Sequence, residues 1–211
     1  MKFYAINGSN RNDGNTAQLL KRALDGVKEV IPEAEVKFIN LYDLPFKRMN
    51  GSHYGKCVYN DDFKPILEEI VQADGIILGS PIYFGEVTGN MRCFLERFCF
   101  PFAVYDMETD SLAPKRMPLG FIYTMNVTKE GAEKMGYDYF LSLNTRFLEM
   151  LFKKPYNLLS YDTYQFSDYS KYKSDIFDEK HKAEVRKTQF PKDLESAFEI
   201  GSKVARDALL K

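Results

Sequence analysis

A short segment rich in glycine, serine and asparagine, "GSNRNDGNT" (8–16, the first loop), carries the residues best suited to chemistry. It follows the apolar stretch "FYAI" and leads into a helical pattern. Hydroxyl and amide side chains before a helix N-terminus, where N–H groups are free and the helix dipole is positive, favour an anion such as phosphate. The alternative is an ordinary turn in which Asn15 or Thr16 caps the helix.

The glycine spacing of the first loop excludes two common nucleotide-binding motifs. Asn10 stands where the second glycine of the G-x-G-x-x-G dinucleotide motif belongs. Five residues separate Gly8 from Gly14, and Asn15 replaces the lysine that a Walker loop directs at a triphosphate. With Arg11 as its cation, the loop is suited to a terminal monophosphate bound without a metal ion.

A second unusual segment, "SPIYFGEVTG" (80–89, the second loop), places apolar and aromatic residues before another helix. Tyr83 and Phe84 can cover the face of a planar heteroaromatic ring, while backbone groups bind its polar edge and Gly85 permits close approach. Alternatively, both aromatic side chains pack beneath the loop. A phosphate loop and a ring loop together indicate a phosphorylated planar cofactor.

Strand-like and helix-like segments alternate along the chain and position these two loops. The predicted strands are 2–6, 35–41, 74–80, 117–125 and 156–161, and the predicted helices begin at Thr16 or span 61–73, 130–152 and 191–210, with one more after the second loop. This alternation predicts a single α/β domain over residues 1–211, with a flavodoxin-like, doubly wound five-stranded parallel sheet in the order 2-1-3-4-5 and helices on both faces. In that order, ligands bind beyond strands one and three, where both loops lie.

Charge and hydropathy argue against several partner classes. The chain has 29 lysine plus arginine residues against 30 aspartate plus glutamate, so its net charge of -1 gives no electrostatic basis for binding nucleic acid or a membrane surface. No stretch resembles a signal peptide or a membrane span, which predicts a cytoplasmic protein. Cys57, Cys93 and Cys99 match no zinc or disulfide framework.

An aromatic-rich insertion at about 161–190 precedes the last predicted helix. Its first part interleaves polar residues with Tyr161, Tyr164, Phe166, Tyr169 and Tyr172. The segment is longer than an ordinary connection. A subunit contact, a lid over the cofactor, or packing on the chain's own sheet would each use such residues.

The two loops together resemble the FMN-binding loops of the flavodoxin-like NAD(P)H-dependent FMN reductase family, in its branch related to iron–sulfur flavoproteins. The resemblance covers roughly residues 1–125. It implies that the FMN phosphate is held by Ser9, Arg11, Asn15 and Thr16, that the isoalloxazine ring meets Pro81, Ile82, Tyr83, Phe84 and Gly85, and that its pyrimidine end touches Thr124, Met125 and Asn126. It also implies a homodimer or homotetramer.

The sequence departs from that branch just before Asp61 and Asp62, where the iron–sulfur members carry four clustered cysteines. Only Cys57 is present there, with His53 nearby. A cubane cluster needs four thiolate ligands, so we predict that this chain binds neither an iron–sulfur cluster nor another metal.

The chemistry implied by the resemblance is hydride transfer from NADPH or NADH to FMN, and then reduction of a small acceptor such as a quinone, flavin or nitro compound, in a ping-pong cycle. Because a flavin carries its own reactivity, no side chain is assigned a catalytic role, and His53 and His181 are expected at the surface. The alternative is a flavodoxin-type electron carrier with protein partners, which the isoelectric point of about 6.2 disfavours, since such carriers are strongly acidic.

Overall fold

Parallel strands form the centre of the fold in the computed structural model, which describes residues 1–45, 60–105, 108–109, 111–166, 168–173 and 176–210. The strands are β1 (Lys2–Asn7), β2 (Glu35–Asn40), β3 (Gly75–Tyr83), β4 (Glu86–Val87), β5 (Leu119–Thr124) and β6 (Tyr156–Ser160). All pair in parallel in the order β2-β1-β3-β5-β6, except that the short β4 pairs antiparallel with β3. Without β4, this is the predicted order 2-1-3-4-5.

The helices cover both faces of the sheet. They are α1 (Asn15–Val30), α2 (Phe63–Val71), α3 (Gly89–Cys99), α4 (Lys129–Lys134), α5 (Tyr137–Leu151), α6 (Glu179–Thr188) and α7 (Phe190–Leu209). Side chains alternate between the faces along each strand. On β1, Phe3 and Ala5 therefore pack with α1 and α7, while Tyr4 and Ile6 pack with α2, α3 and α5.

Two glycines allow α1 and α7 to approach each other closely. A Cβ on Gly201 would lie 1.8 Å from the carbonyl oxygen of Ala23, and a Cβ on Gly26 would lie 2.0 Å from that of Phe198. Ser202 Oγ also donates to the Gly26 carbonyl oxygen at 3.1 Å. The helix that carries the first loop is thus fixed against the C-terminal helix by backbone contact.

Three elements differ from the sequence prediction. The prediction of one continuous helix over 130–152 was wrong, because Gly136 has a φ of 72° and separates α4 from α5. The third strand extends past the predicted 74–80 to Tyr83, where β4 pairs with it. The predicted insertion contains a helix, α6, which begins after Asp178, whose side chain accepts from the Lys180 N–H at 2.9 Å.

Candidate functional site

The first and second loops meet beyond the carboxyl ends of β1 and β3. The Gly8 N–H donates to the Gly79 carbonyl oxygen at 2.7 Å, and Thr88 Oγ1 donates to the Gly8 carbonyl oxygen at 2.7 Å. A Cβ on Gly8 would lie 2.9 Å from the Cβ of Met91, closer than side chains pack. The two loops are therefore joined through backbone, and residue 8 has to be glycine.

Asn7, the last residue of β1, sets the shape of the first loop. Its Oδ1 accepts from the Ser9 N–H at 3.1 Å, and its Nδ2 donates to the Ser9 carbonyl oxygen at 3.1 Å. The Ser9 hydroxyl oxygen accepts from the Arg11 N–H at 3.1 Å. Such local bonds are typical of asparagine and serine in turns. Sequence reasoning missed Asn7, although asparagine at a strand end is a usable signal for such a turn.

Helix α1 begins at Asn15, within the last residues of the first loop, and no side chain caps it. Gly14 is the N-cap residue, and Asn15 and Thr16 already lie inside the helix, so neither is the cap that the alternative required. The first N–H groups of a helix have no partner within it, and they carry the positive end of its dipole. The first turn contains no acidic residue. This helix end can accept an anion.

The second loop is the turn of a β-hairpin. Tyr83 pairs with Glu86 across it, and the two residues between them, Phe84 and Gly85, have φ values of 53° and 86°. Two consecutive positive φ values are typical of a two-residue type I′ hairpin turn. Tyr83 is 48% exposed and Phe84 is fully exposed, so neither side chain packs beneath the loop.

The loop after β5 completes the site on its far side. Thr124 Oγ1 lies 2.8 Å from Thr16 Oγ1, so the ends of β5 and α1 are hydrogen-bonded. Asn126 Oδ1 is buried and has no hydrogen-bond partner among the residues that the structure describes. The Asn126 carbonyl oxygen accepts from the buried Nζ of Lys182, which also donates to Asp162. Residues of the C-terminal segment thus hold this loop in place.

The segment after β6 crosses the first loop. Arg11 Nη1 donates to the Gln165 carbonyl oxygen at 2.6 Å, and Asn15 Nδ2 donates to the Tyr164 carbonyl oxygen at 2.9 Å. The start of the aromatic insertion therefore lies against the first loop. Sequence reasoning could not find these contacts, since they join residues 154 and 149 positions apart and no local pattern links them.

A cavity of about 100 Å³ lies between the three loops. It is lined by Ser9, Arg11, Gly14, Asn15, Thr16, Pro81, Ile82, Tyr83, Thr124, Met125, Asn126, Thr163 and Gln165. The predicted site residues are all among them except Phe84 and Gly85, which lie outside the cavity at the hairpin turn. Gly14, Thr163 and Gln165 were not predicted.

The structure describes only some of the histidines and cysteines, none of which was assigned a catalytic role. The His181 side chain is 57% exposed, as predicted, and its Nε2 lies 2.6 Å from Asp162 Oδ2. Burial raises the pKa of the Cys99 thiol to about 12, so this cysteine is protonated at neutral pH. His53 and Cys57 lie outside the described residues, and the absence of an iron–sulfur cluster therefore stays a prediction.

Within the described ranges, no helix is long and apolar enough to cross a membrane.

Comparison with known proteins gives a family match to the first part of the chain and matches to curated relatives over less than half of it. The family described as NADPH-dependent FMN reductase matches residues 1–133. An iron–sulfur flavoprotein of Methanocaldococcus jannaschii is 40% identical over 101 residues, which are 46% of this chain and 51% of that protein. An NAD(P)H-dependent FAD/FMN reductase of Geobacillus thermodenitrificans is 27% identical over 92 residues, 44% of this chain and 48% of that protein. The matches span about half the length of these curated relatives.

A solved structure supports the fold over nearly the whole chain. An NAD(P)H:quinone oxidoreductase from Methanothermobacter marburgensis superposes with a TM-score of 0.71, covering 96% of this chain and 98% of that one. The sequence identity is 14%, so this likeness bears on the fold alone.

Proposed function

Since the chain belongs to the NADPH-dependent FMN reductase family, we propose that its three-loop cavity binds FMN and that the protein is an NAD(P)H-dependent oxidoreductase acting on a small acceptor. A quinone, a flavin or a nitro compound would each serve as acceptor. The observation that carries the proposal is the uncapped N-terminus of α1, which lies beside Arg11 in one cavity with the hairpin loop.

The phosphate end of the cavity fits FMN. The N–H groups of Asn15 and Thr16, the Ser9 hydroxyl and the Arg11 guanidinium all line the cavity or begin the helix next to it. The Asn15 amide already bonds to Tyr164 and to Arg186. We therefore assign its backbone N–H, rather than its side chain, to the phosphate.

The ring end of the cavity also fits. Asn126 Oδ1, which has no hydrogen-bond partner in the described ranges, is an acceptor at the place assigned to the pyrimidine end, where isoalloxazine carries an imide N–H. A buried acceptor without a partner costs about 1–3 kcal/mol, which such a donor would offset. Pro81 and Ile82 supply apolar surface beside it. When bound, FMN supplies two-electron chemistry, accepting hydride from a nicotinamide and passing electrons to the second substrate in turn.

The small volume of the cavity suits an open site. Pockets that enclose a small ligand measure about 300–1,000 Å³, whereas this cavity measures about 100 Å³. One ring face would therefore stand open beside Tyr83, whose side chain is half exposed. A nicotinamide and a planar acceptor would use that face one after the other, and this accounts for the ping-pong order. No side chain is assigned a proton-transfer step.

The first experiment is to purify the protein and denature it. We expect a yellow protein that releases FMN and whose visible absorbance is bleached anaerobically by NADPH or NADH. Steady-state rates with a quinone acceptor should give parallel double-reciprocal lines. A colourless protein that takes up no added FMN would refute the cofactor assignment, and a yellow protein that neither nucleotide bleaches would refute the reductase activity.

The second candidate function is a flavodoxin-type electron carrier, which shares the fold. Its distinguishing property is a stable one-electron state, so stepwise anaerobic reduction would show a separate spectrum at half reduction. The nearly balanced charge of the chain disfavours it, because 29 basic against 30 acidic residues give little long-range steering of a protein partner.

Domain organisation, assembly and location remain predictions. We propose one domain over residues 1–211 with the aromatic-rich insertion at about 161–190, a homodimer or homotetramer, no nucleic-acid or membrane partner, and a cytoplasmic location. The contacts of Gln165 and Lys182 with the site loops support a single domain, since the C-terminal segment forms part of the site.

A further inference from the structure

A second cavity, of about 500 Å³, adjoins the phosphate end of the first. The two cavities share Arg11, Gly14, Asn15 and Gln165. The second one is bounded on its other side by aromatic residues of the insertion and by Arg186 of α6. It is large enough for a nucleotide-sized ligand.

Two arginines at this cavity have no ion-pair partner among the residues that the structure describes. Within the described ranges, neither Arg11 nor Arg186 lies within 4.0 Å of a carboxylate oxygen, whereas Arg22, Arg92 and Arg97 each do. Asp13, an exposed residue, also lines the cavity without pairing with either arginine. The cavity therefore presents two cationic side chains beside the positive end of α1.

The Arg186 guanidinium is held in a fixed position. Its Nη1 donates to Asn15 Oδ1 at 2.9 Å, its Nη2 donates to Gln18 Oε1 at 2.8 Å, and its carbon lies 3.9 Å from the ring centre of Phe190. Burial lowers its pKa, yet a guanidinium stays charged in a protein. A fixed, partly buried cation without a counter-ion is an energetic cost that a bound phosphate would offset.

The same cavity offers an aromatic surface. The rings of Phe166 and Tyr172 stack with centroids 3.9 Å apart and an interplanar angle of 13°. Tyr172 is 53% exposed, so the stacked pair remains accessible to a further ring. A site that combines fixed guanidinium groups with an exposed aromatic stack is suited to a phosphorylated nucleoside.

We propose that this second cavity binds the adenosine end of the nicotinamide dinucleotide, with the 2′-phosphate of NADPH at Arg186 and the adenine against Tyr172. The inference rests on the proposed reductase function. Because the two cavities share Arg11 and Gln165, a dinucleotide whose nicotinamide lies over the open ring face can extend into the second cavity. Arg186 and Tyr172 lie beyond residue 133, where the family match ends.

Equilibrium binding separates the phosphate contact from catalysis. On FMN-loaded protein, we expect 2′,5′-ADP to bind about tenfold or more tightly than 5′-AMP, because a hydrogen bond to a charged group contributes free energy of that order. Arg186→Ala, and the milder Arg186→Gln, should abolish this difference. Arg22→Ala is the matched control, since Arg22 also stacks on an aromatic ring, Phe198, but lies outside the cavity. It should leave the difference unchanged.

Steady-state kinetics give the second readout. Arg186→Ala should lower the ratio of kcat/KM for NADPH over NADH by about tenfold or more. Arg186 also bonds to Asn15, so its loss could weaken FMN binding, but that effect acts equally on both nucleotides and leaves the ratio unchanged. If Arg186→Ala lowers kcat/KM equally for NADPH and NADH and also weakens FMN binding, the inference is overturned and Arg186 is assigned to the FMN phosphate. The flavin would still be bleached in that case, so the proposed function would stand.

Discussion

In the described part of the chain, two residues other than glycine, Phe84 and Asp162, have left-handed backbone, with φ values of 53° and 55°. Their surroundings differ. The Phe84 side chain is fully exposed at the hairpin turn, whereas Asp162 is 8% exposed and accepts hydrogen bonds from Lys182 and His181. The strain at Asp162 is thus offset by buried contacts, and the strain at Phe84 is not offset within this chain.

Replacing Phe84 or Asp162 with glycine should therefore change the free energy of unfolding in opposite directions. Phe84→Gly should raise the free energy of unfolding by about 0.5–1 kcal/mol, because left-handed strain costs about 1–2 kcal/mol and the added flexibility of the unfolded chain removes part of the gain. Asp162→Gly should lower it by about 3 kcal/mol or more, because the Lys182 ammonium stays buried without its partner. Denaturant unfolding measures both, and a loss of stability in Phe84→Gly would contradict this account.

The pH dependence of stability should include a contribution from Glu69. The hydrogen bond from Lys37 Nζ, at 2.6 Å, lowers the pKa of Glu69 from its ordinary 4.5 to about 2. A lowered carboxyl pKa gives stability that is present above pH 4.5 and lost as the pH falls toward 2. Glu69→Gln should reduce the Tm at neutral pH. As the pH falls from 4.5 toward 2, the difference in Tm between the variant and the wild type should vanish. Glu33→Gln, at an exposed position, is the control; a difference independent of pH would argue against the pair.

At the scale of elements, periodicity and loop chemistry predicted the strand order and the loops that form the cavity. Those predictions succeeded because strands alternate with helices along the chain and because both loops, which lie within the first 125 residues, have unusual composition. The break at Gly136 was not predicted, because a single glycine within a helical pattern is usually tolerated. Gln165 and Arg186 were not predicted either, because their roles depend on contacts across more than half of the chain.

The close packing of α1 against α7 gives an element-scale prediction. Gly201→Ala should lower the free energy of unfolding by about 1–3 kcal/mol, because its Cβ would overlap the Ala23 carbonyl oxygen and force the helices apart. Gly89→Ala is the control. Gly89 is the first residue of α3, and a Cβ there has no atom within 4 Å. Thermal unfolding of both variants makes the comparison, and equal Tm values would show that the helix pair adjusts without cost.

At the scale of the whole molecule, the metal content tests the departure from the iron–sulfur relatives. We expect iron and acid-labile sulfide to be absent from anaerobically purified protein, because the chain has three cysteines and a cubane cluster takes four thiolates. Elemental analysis and the visible spectrum measure this directly. About four iron and four sulfide per chain would contradict the prediction.

An exposed apolar face suggests where the predicted assembly forms. Phe147 and Met150 of α5 line a cavity with Phe100 and Tyr105, and all four side chains are largely exposed. Clusters of this kind mark protein interfaces. The double variant Phe147→Ser and Met150→Ser should therefore sediment as a monomer. Leu210→Ser, at an exposed residue outside both this face and the aromatic-rich insertion, should not change the sedimentation coefficient.

The sedimentation experiment also tests the other surface considered for assembly. If the α5 variant leaves the oligomer intact and Tyr164→Ser weakens it, the contact lies in the aromatic insertion instead. Tyr164 reaches Glu179 through its hydroxyl at 3.1 Å. A wild-type protein that is monomeric would contradict both versions of the assembly prediction.

The contacts from Arg11 to Gln165 and from Asn15 to Tyr164 have a thermodynamic consequence. Under the proposed function, they link FMN affinity to the docking of residues 164–165 in one equilibrium. Whatever loosens that segment, such as a nearby ligand, a substitution or a protease cut, weakens retention of the cofactor by the same free energy that the cofactor contributes to holding the segment down. Under the proposed function, the last quarter of the chain thus regulates cofactor occupancy at a site whose predicted residues lie between Ser9 and Asn126.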